Sequence, residues 1–131
     1  MLKTKPILDP RENDDGIRIS IMSKHTYNDG IKPHEGVTKD SFDVHGAEFA
    51  PPLDLIGDYY KRGLSWEKFE KRYINYLSSI YSEVMNLARM SVEKDVTLLC
   101  IEEIPEMCHR RLLAEECKKL KPKLEIIIII K

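Results

Sequence analysis

The last third of the chain constrains the fold more than any other part. Asp95 to Ile101 is a near-continuous apolar run carrying Val96, Leu98, Leu99 and Ile101, and Leu124 to Ile130 is a second one, with five consecutive isoleucines. A strand apolar at nearly every position is one buried on both faces, which implies parallel neighbours. Five isoleucines in a row do not remain in water, and a β-branched run of this kind is typical of a central parallel strand. Between the two runs the apolar positions Leu112, Leu113, Cys117 and Leu120 recur at helical spacing and give way to Lys118, Lys119 and Lys121. Those lysines complement the negative end of a helix, Pro105 can occupy its first turn, and Pro122 stops it. Strand, helix and strand in this order form a crossover unit, the connection that parallel pairing requires.

The same reading extends upstream. Ile17 to Met22 alternates apolar and polar residues after the turn-forming Asn13-Asp14-Asp15-Gly16, as a strand does. Lys3 to Leu8 is an edge strand or an ordered arm, because Pro6 cannot donate to a ladder and so argues against a central position. Ser23 to Pro52 holds four glycines or prolines before Pro51-Pro52 and no sustained period, so it reads as a long loop, either a lid over a site or a mobile surface excursion. Leu53 to Arg62 is a short helix ended by Gly63, with Leu53, Ile56, Tyr59 and Tyr60 on or near one face. Ser65 then caps a longer helix whose apolar positions 66, 69, 73, 77, 80, 84 and 87 make one stripe ending near Met90. Its aromatics Trp66, Phe69, Tyr73, Tyr76 and Tyr81 sit at core spacing rather than as a platform for stacked bases. The sum is an α/β fold, a three-layer and mainly parallel sheet with Rossmann-like right-handed crossovers.

Length and composition narrow the class of function. A chain of 131 residues is expected to make a single α/β domain over 1–131, with 23–52 as its long loop or lid. One residue in three is charged, yet the net charge is only −1, so no overall field draws the chain to nucleic acid or to an anionic membrane. The longest apolar run is too short to cross a bilayer, and a soluble protein is expected. Three cysteines, at 100, 108 and 117, form an odd set with no secretory leader before them, which fits reduced thiols in a cytoplasmic location.

Chemistry gathers at one turn. The strand ending at Cys100 and Glu102 is followed by a helix beginning around Cys108, His109 and Arg110. In open α/β sheets ligands bind beyond the carboxyl ends of the strands, where helix N-termini present N–H groups. A thiol at a helix start beside His and Arg is in the setting that favours a thiolate nucleophile. Arg110 is fitted to hold an anionic group with two donors, and Glu102 or His109 to act as acid or base. The competing reading makes Cys100 and Cys117 small core residues, packs Cys108 under the turn and pairs Arg110 with Glu102. No cysteine is followed six positions later by an arginine, so a phosphatase loop is absent. A Cys/His metal set drawing on Cys100, Cys108, His109 and one of His25, His34 or His45 is disfavoured, since structural zinc ligands come in closely spaced pairs and seven residues separate Cys100 from Cys108. Glycine-rich phosphate loops and the G-x-S-x-G elbow are also missing.

An apolar strand ending Cys-x-Glu, then Pro, then Cys-His-Arg opening a helix, as Cys100, Glu102, Pro105, Cys108, His109 and Arg110 stand here, resembles the C-terminal signature of the domain of unknown function 488 family. The helix end RLLAEE agrees with it. PPLDLIGDYYKRGLSWEKFEKRYINYL is similar to that family's middle region, and ILDPRENDDGIRISIM to the start of its shorter members. Ser23-Lys24-His25 and Tyr27-Asn28-Asp29-Gly30 stand where some of these members carry Asp-Arg and a Trp-Pro-Arg-Gly run. The resemblance implies an α/β fold and, since the family has no established biochemistry, it implies no reaction.

From the residues, the turn at 100–110 is expected to form an anion-accepting pocket, with cysteine-dependent catalysis through Cys108, His109, Arg110, Glu102 and Cys100. The cofactor and the oligomeric state are unknown. The expected partner is an anionic small molecule or a phosphate group. The alternative is a non-catalytic nucleotide or nucleic-acid phosphate-binding module using Arg110, Arg111 and Lys24, and a third reading is an interaction subunit.

Overall fold

The computed structural model describes residues 1–26, 31–101 and 108–129. Five strands pair in parallel: β1 (Leu2–Pro6), β2 (Ile17–Ser20), β3 (Val44–His45), β4 (Val96–Cys100) and β5 (Ile126–Ile128), in the spatial order β3-β2-β4-β1-β5. Four helices, α1 (Leu53–Lys61), α2 (Trp66–Ser79), α3 (Tyr81–Glu93) and α4 (His109–Leu120), and two 3-10 turns, Asn13–Asp15 and Ala47–Phe49, complete the described elements. The architecture is α/β with an all-parallel sheet.

The register assigns the two faces. Leu2, Val96 and Ile17 lie side by side, as do Thr4, Leu98 and Ile19, while Lys3, Thr97 and Arg18 form a row pointing the other way. Helix α4 packs directly on β1, β4 and β5, and α2 and α3 pack against α4. The helix-covered face supplies much of the core, including Leu2, Ile19, Val96, Leu98, Leu112, Leu113 and Cys117, each at most 4% exposed. The opposite face is covered by the turn between β1 and β2, so the sheet is a middle layer with helices on one side and irregular chain on the other.

That second face is held by charge. Asp15 is fully buried, and its carboxylate meets Lys5 Nζ at 3.0 Å, Arg18 Nη1 at 2.6 Å and Lys3 Nζ at 3.2 Å. All three cations are themselves buried. Glu12 and Asp14, both exposed, also accept from Lys5 and Lys3 at 2.9 Å each, Lys5 donates further to the Pro10 carbonyl at 3.1 Å, and Thr97 Oγ1 donates to the Asp15 carbonyl oxygen at 2.7 Å. Burial alone would raise the Asp15 pKa, but the hydrogen bonds from Lys5 and Arg18, then from the Glu12 backbone N–H and Lys3, hold it well below the usual carboxylate range. Gly16 follows with φ at +62°, where a Cβ would fall 1.9 Å from the Asp95 carbonyl oxygen, so the turn into β2 requires glycine.

Several elements differ from the sequence reading. β1 is central, flanked by β4 and β5. The N–H groups of Leu2 and Ile7 point to opposite neighbours, Leu2 to Glu125 and Ile7 to Cys100. By alternation the donor missing at Pro6 falls on the β5 side, beyond the last pair Thr4 with Ile128, so the proline removes no bond from the existing ladder. Conversely, the isoleucine run is an edge strand of three residues, half-buried rather than central, because β1 occupies the inner position. The long helix expected from Trp66 to Met90 is two helices that break at Ile80 (φ −115°, ψ 39°). Just before the break Ser78 and Ser79 donate to the carbonyls of Ile74 and Tyr76, side-chain bonds that compete with the backbone. The apolar stripe survives it: Phe69, Tyr73 and Leu77 are buried on α2, and Val84 and Leu87 on α3. On α1 the buried residue is Leu55, whereas Leu53 and Tyr60 are exposed.

The segment 23–52, read as a loop, carries β3, a 3-10 turn and an isolated bridge between Thr26 and Pro33. The Ser65 cap forms as expected, its hydroxyl accepting from the Lys68 N–H at 3.3 Å. Pro105 lies outside the described residues.

Asp15→Asn should cost about 3–5 kcal/mol, because it removes the one buried carboxylate that Arg18, Lys5 and Lys3 share and leaves the two lysines only the exposed Glu12 and Asp14. The wild-type protein should hold the Asp15 contribution at pH values above about 4 and lose it as the pH falls further, since the unfolded carboxyl takes up its proton first. Urea melts from pH 7 to pH 2.5 on both proteins check this, and an equal acid slope in the two would refute it.

Candidate functional site

Strand β4 delivers Cys100 at its last residue, on the helix-covered face, and α4 starts with Cys108 as its cap residue and His109 and Arg110 in its first turn. The two elements meet there because β4 is apolar at every position of this face and α4 buries Leu112, Leu113 and Cys117 against the sheet. Cys100 Sγ and Cys108 Sγ are 2.7 Å apart, and both residues are buried thiols. Arg110 is fully buried, and its Nη1 donates to Cys108 Sγ at 3.4 Å. His109 Nδ1 lies 4.0 Å from the same sulfur.

The orientation of His109 follows from its other nitrogen. Nε2 sits 2.7 Å from the carbonyl oxygen of Ile21, which only accepts, so Nε2 carries the proton and a neutral ring turns its lone pair at Nδ1 toward Cys108. Tyr73 of α2 closes the other side, edge-on to the imidazole at 5.5 Å, with its hydroxyl donating to the Phe49 carbonyl at 2.6 Å. Burial first, and the nearness of Cys108 and Cys100 second, push the Tyr73 hydroxyl well above its ordinary pKa, so it remains a donor.

Cys100, Cys108, His109 and Arg110 are thus brought together. Glu102 lies outside the described residues. Cys117, two turns along α4, has its Sγ 3.9 Å from the Val84 carbonyl, and burial, then Glu116, pushes its thiol up to about 12. It is an inert core residue at neutral pH. Arg111 pairs with Glu115 on the helix surface at 2.9 Å.

Cys100, Cys108 and His109 place three ligand atoms within 4.8 Å of one another, a donor set that a soft metal accepts. The loop histidines considered with them stand elsewhere. His34 Nδ1 accepts from the Gly36 N–H at 3.0 Å. His25 and His45 form a second cluster: Ser20 Oγ lies 2.6 Å from His25 Nε2, the two imidazoles are 4.5 Å apart, and Phe42 stacks on His25 at 4.7 Å. His45 Nε2 donates to the Met22 carbonyl at 2.6 Å, so Ile21 and Met22 at the end of β2 hold one histidine each. The sequence reading missed Ser20, whose alternating place in a strand marks only a face. Two surface concavities have other linings, one of about 260 Å³ beside Ile19, Val44, Phe49 and Leu87 and one of about 210 Å³ beside Ile7, Arg11, Arg18 and Ser41.

The family model described as DUF488-N3a, the active DUF488-N3 subclade, matches residues 2–120. The chain belongs to the DUF488 family. Neither a curated protein nor a solved structure gives a match. No helix among the described residues is long and apolar enough to cross a membrane.

Burial, and then the charge of His45, lower the pKa of His25 from its ordinary value. The folded protein therefore binds this proton less readily than the unfolded chain, and stability should fall as the pH drops below about 6.5 toward the folded pKa. An NMR titration of the His25 ring should give a midpoint below about 6.5, and His25→Gln should flatten the fall in melting temperature between pH 7 and pH 5.5. A midpoint at or above the ordinary value would contradict the assignment.

Proposed function

We propose that this DUF488 protein is a cysteine-dependent catalyst in which Cys108 is a thiolate nucleophile, Arg110 its counter-charge and His109 the acid or base beside it. The observation that carries the reading is one contact, Arg110 Nη1 on Cys108 Sγ at 3.4 Å, made at the residue from which a twelve-residue helix starts. A guanidinium and a helix N-terminus both favour negative charge at that point. His109 Nδ1 lies near enough to exchange a proton with the thiol or with a departing group through a small shift or one water.

Arg110 also argues for thiol chemistry over a metal centre, because its fixed positive charge stands where a cation would have to approach Cys108. An anionic group entering the site would meet the same guanidinium and the same helix start, which keeps the anion-accepting role in the proposal. The phosphate-binding alternative draws less support: Arg110 is fully buried against a sulfur, and Arg111 is engaged by Glu115. Glu102 enters only as a sequence-based expectation.

An ordinary thiol is ionised to about a few per cent at pH 7. Cys108 should instead contribute most of one thiolate, read as the ultraviolet thiolate absorbance of the wild type minus that of Cys108→Ser at pH 7. Arg110→Gln should remove most of this difference, and Cys117→Ser should leave it unchanged. A wild-type difference no larger than that of an ordinary thiol would overturn the proposal.

A further inference from the structure

We propose that Cys100 is the resolving thiol for Cys108, and that the pair reduces a peroxide and closes to a disulfide between the end of β4 and the start of α4. The inference rests on Cys108 being the nucleophile and adds the substrate class and the second sulfur. The two sulfurs stand 2.7 Å apart, against about 2.05 Å for a disulfide bond, so closure needs a shift of well under an ångström. Cys100 is the last residue of β4 and Cys108 the residue from which α4 starts, and these two elements pack on each other. Cys117, the other cysteine, is engaged along α4 with Val84 and stays protonated.

Burial selects the co-substrate. Cys100 is 1% exposed and Cys108 2%, which favours a compact hydroperoxide over a bulky electrophile. In the first step the Cys108 thiolate attacks the terminal peroxide oxygen, the S–O bond forms and the O–O bond breaks. The departing oxygen leaves as an alkoxide or hydroxide and takes the proton that the Cys108 thiol gave up on ionising, with Arg110 and the helix N-terminus stabilising its developing charge and His109 Nδ1 placed to hold that proton in between. In the second step Cys100 Sγ attacks Cys108 Sγ, the S–S bond forms, the S–O bond breaks, and hydroxide leaves with the proton lost by Cys100 as water. Overall two thiols and one hydroperoxide give one disulfide, one alcohol and one water. For hydrogen peroxide the products are the disulfide and two waters.

The test uses the full chain, reduced and then treated with hydrogen peroxide at pH 7. Two of the three thiols should disappear, the intact mass should fall by about 2 Da, and peptide mapping should show Cys100 linked to Cys108. Reductant should restore all three thiols. In Cys100→Ser the first step should still run, leaving a Cys108 sulfenic acid that dimedone captures, with no internal disulfide. The wild-type linkage alone decides the matter if that variant does not fold. Oxidation that links Cys117, forms only intermolecular disulfides or spares both thiols overturns the proposal. If Cys100→Ser keeps the pH 7 thiolate signal while the wild type forms no disulfide, the resolving role fails and the nucleophile stands. If the signal is absent from wild type and variant alike, the nucleophile itself fails.

Discussion

One carboxylate organises the side of the sheet that the helices do not cover. Lys3 and Lys5 on β1 and Arg18 on β2 point into that layer, and Asp15 meets all three while its backbone carbonyl takes the hydroxyl of Thr97 on β4. Three buried cations are tolerable only with a partner inside the layer, so the register of β1, β2 and β4 and the path of the turn at 7–16 are mutually dependent. Hydrophobic residues in their place would hold the layers together without fixing which strand lies next to which. Here the fork of Arg18 and the two ammonium groups reach one point, and a one-residue slip of β1 would turn both lysines toward the helices.

The site inherits its geometry from that register. β2 and β4 run side by side, so the end of β2 offers the Ile21 carbonyl to His109 while the end of β4 offers Cys100 to Cys108. Helix α2 adds Tyr73 from outside, through its contact with α4. A sulfur, a second sulfur, an imidazole and a guanidinium thus meet where three packed elements end or begin. Held by packed elements, such groups meet the condition for preorganised chemistry.

Much of this was legible in the chain itself, for reasons that differ from element to element. β2 and β4 announce themselves because their apolar periodicity matches their burial, and α4 because its apolar spacing and closing lysines agree. Cys100, Cys108, His109 and Arg110 were legible together because a strand end followed by a helix start is a local signal. β1 reads as an edge strand or an arm for a non-local reason: Lys3 and Lys5 look like surface residues until Asp15, twelve and ten residues on, pairs with them, and Pro6 looks prohibitive until β5 is seen to stop short of it. The isoleucine run named its secondary structure correctly but carries no information on its place in the order. The break at Ile80 is equally silent in the apolar stripe, because both helices keep the same face inward across it. The grouping of Ser20, His25 and His45 depends on β3 joining the sheet, and two residues are too short a strand to show a period.

The proline at the end of β1 has a further consequence for how the molecule behaves among its own copies. A stretch of isoleucines along an open sheet edge is the kind of segment onto which a neighbouring chain adds a strand and from which ordered aggregates grow. Here the inner partner lacks the donor that the next rung would need, so among the described residues the three-residue paired stretch ends at Ile128, with the Ile129 N–H donating back to the Thr4 carbonyl at 3.3 Å. A template that short gives an incoming strand few hydrogen bonds to set against the entropy of ordering it. The residue that looked least suited to a central strand thus sets where the ladder ends at an edge it does not itself form.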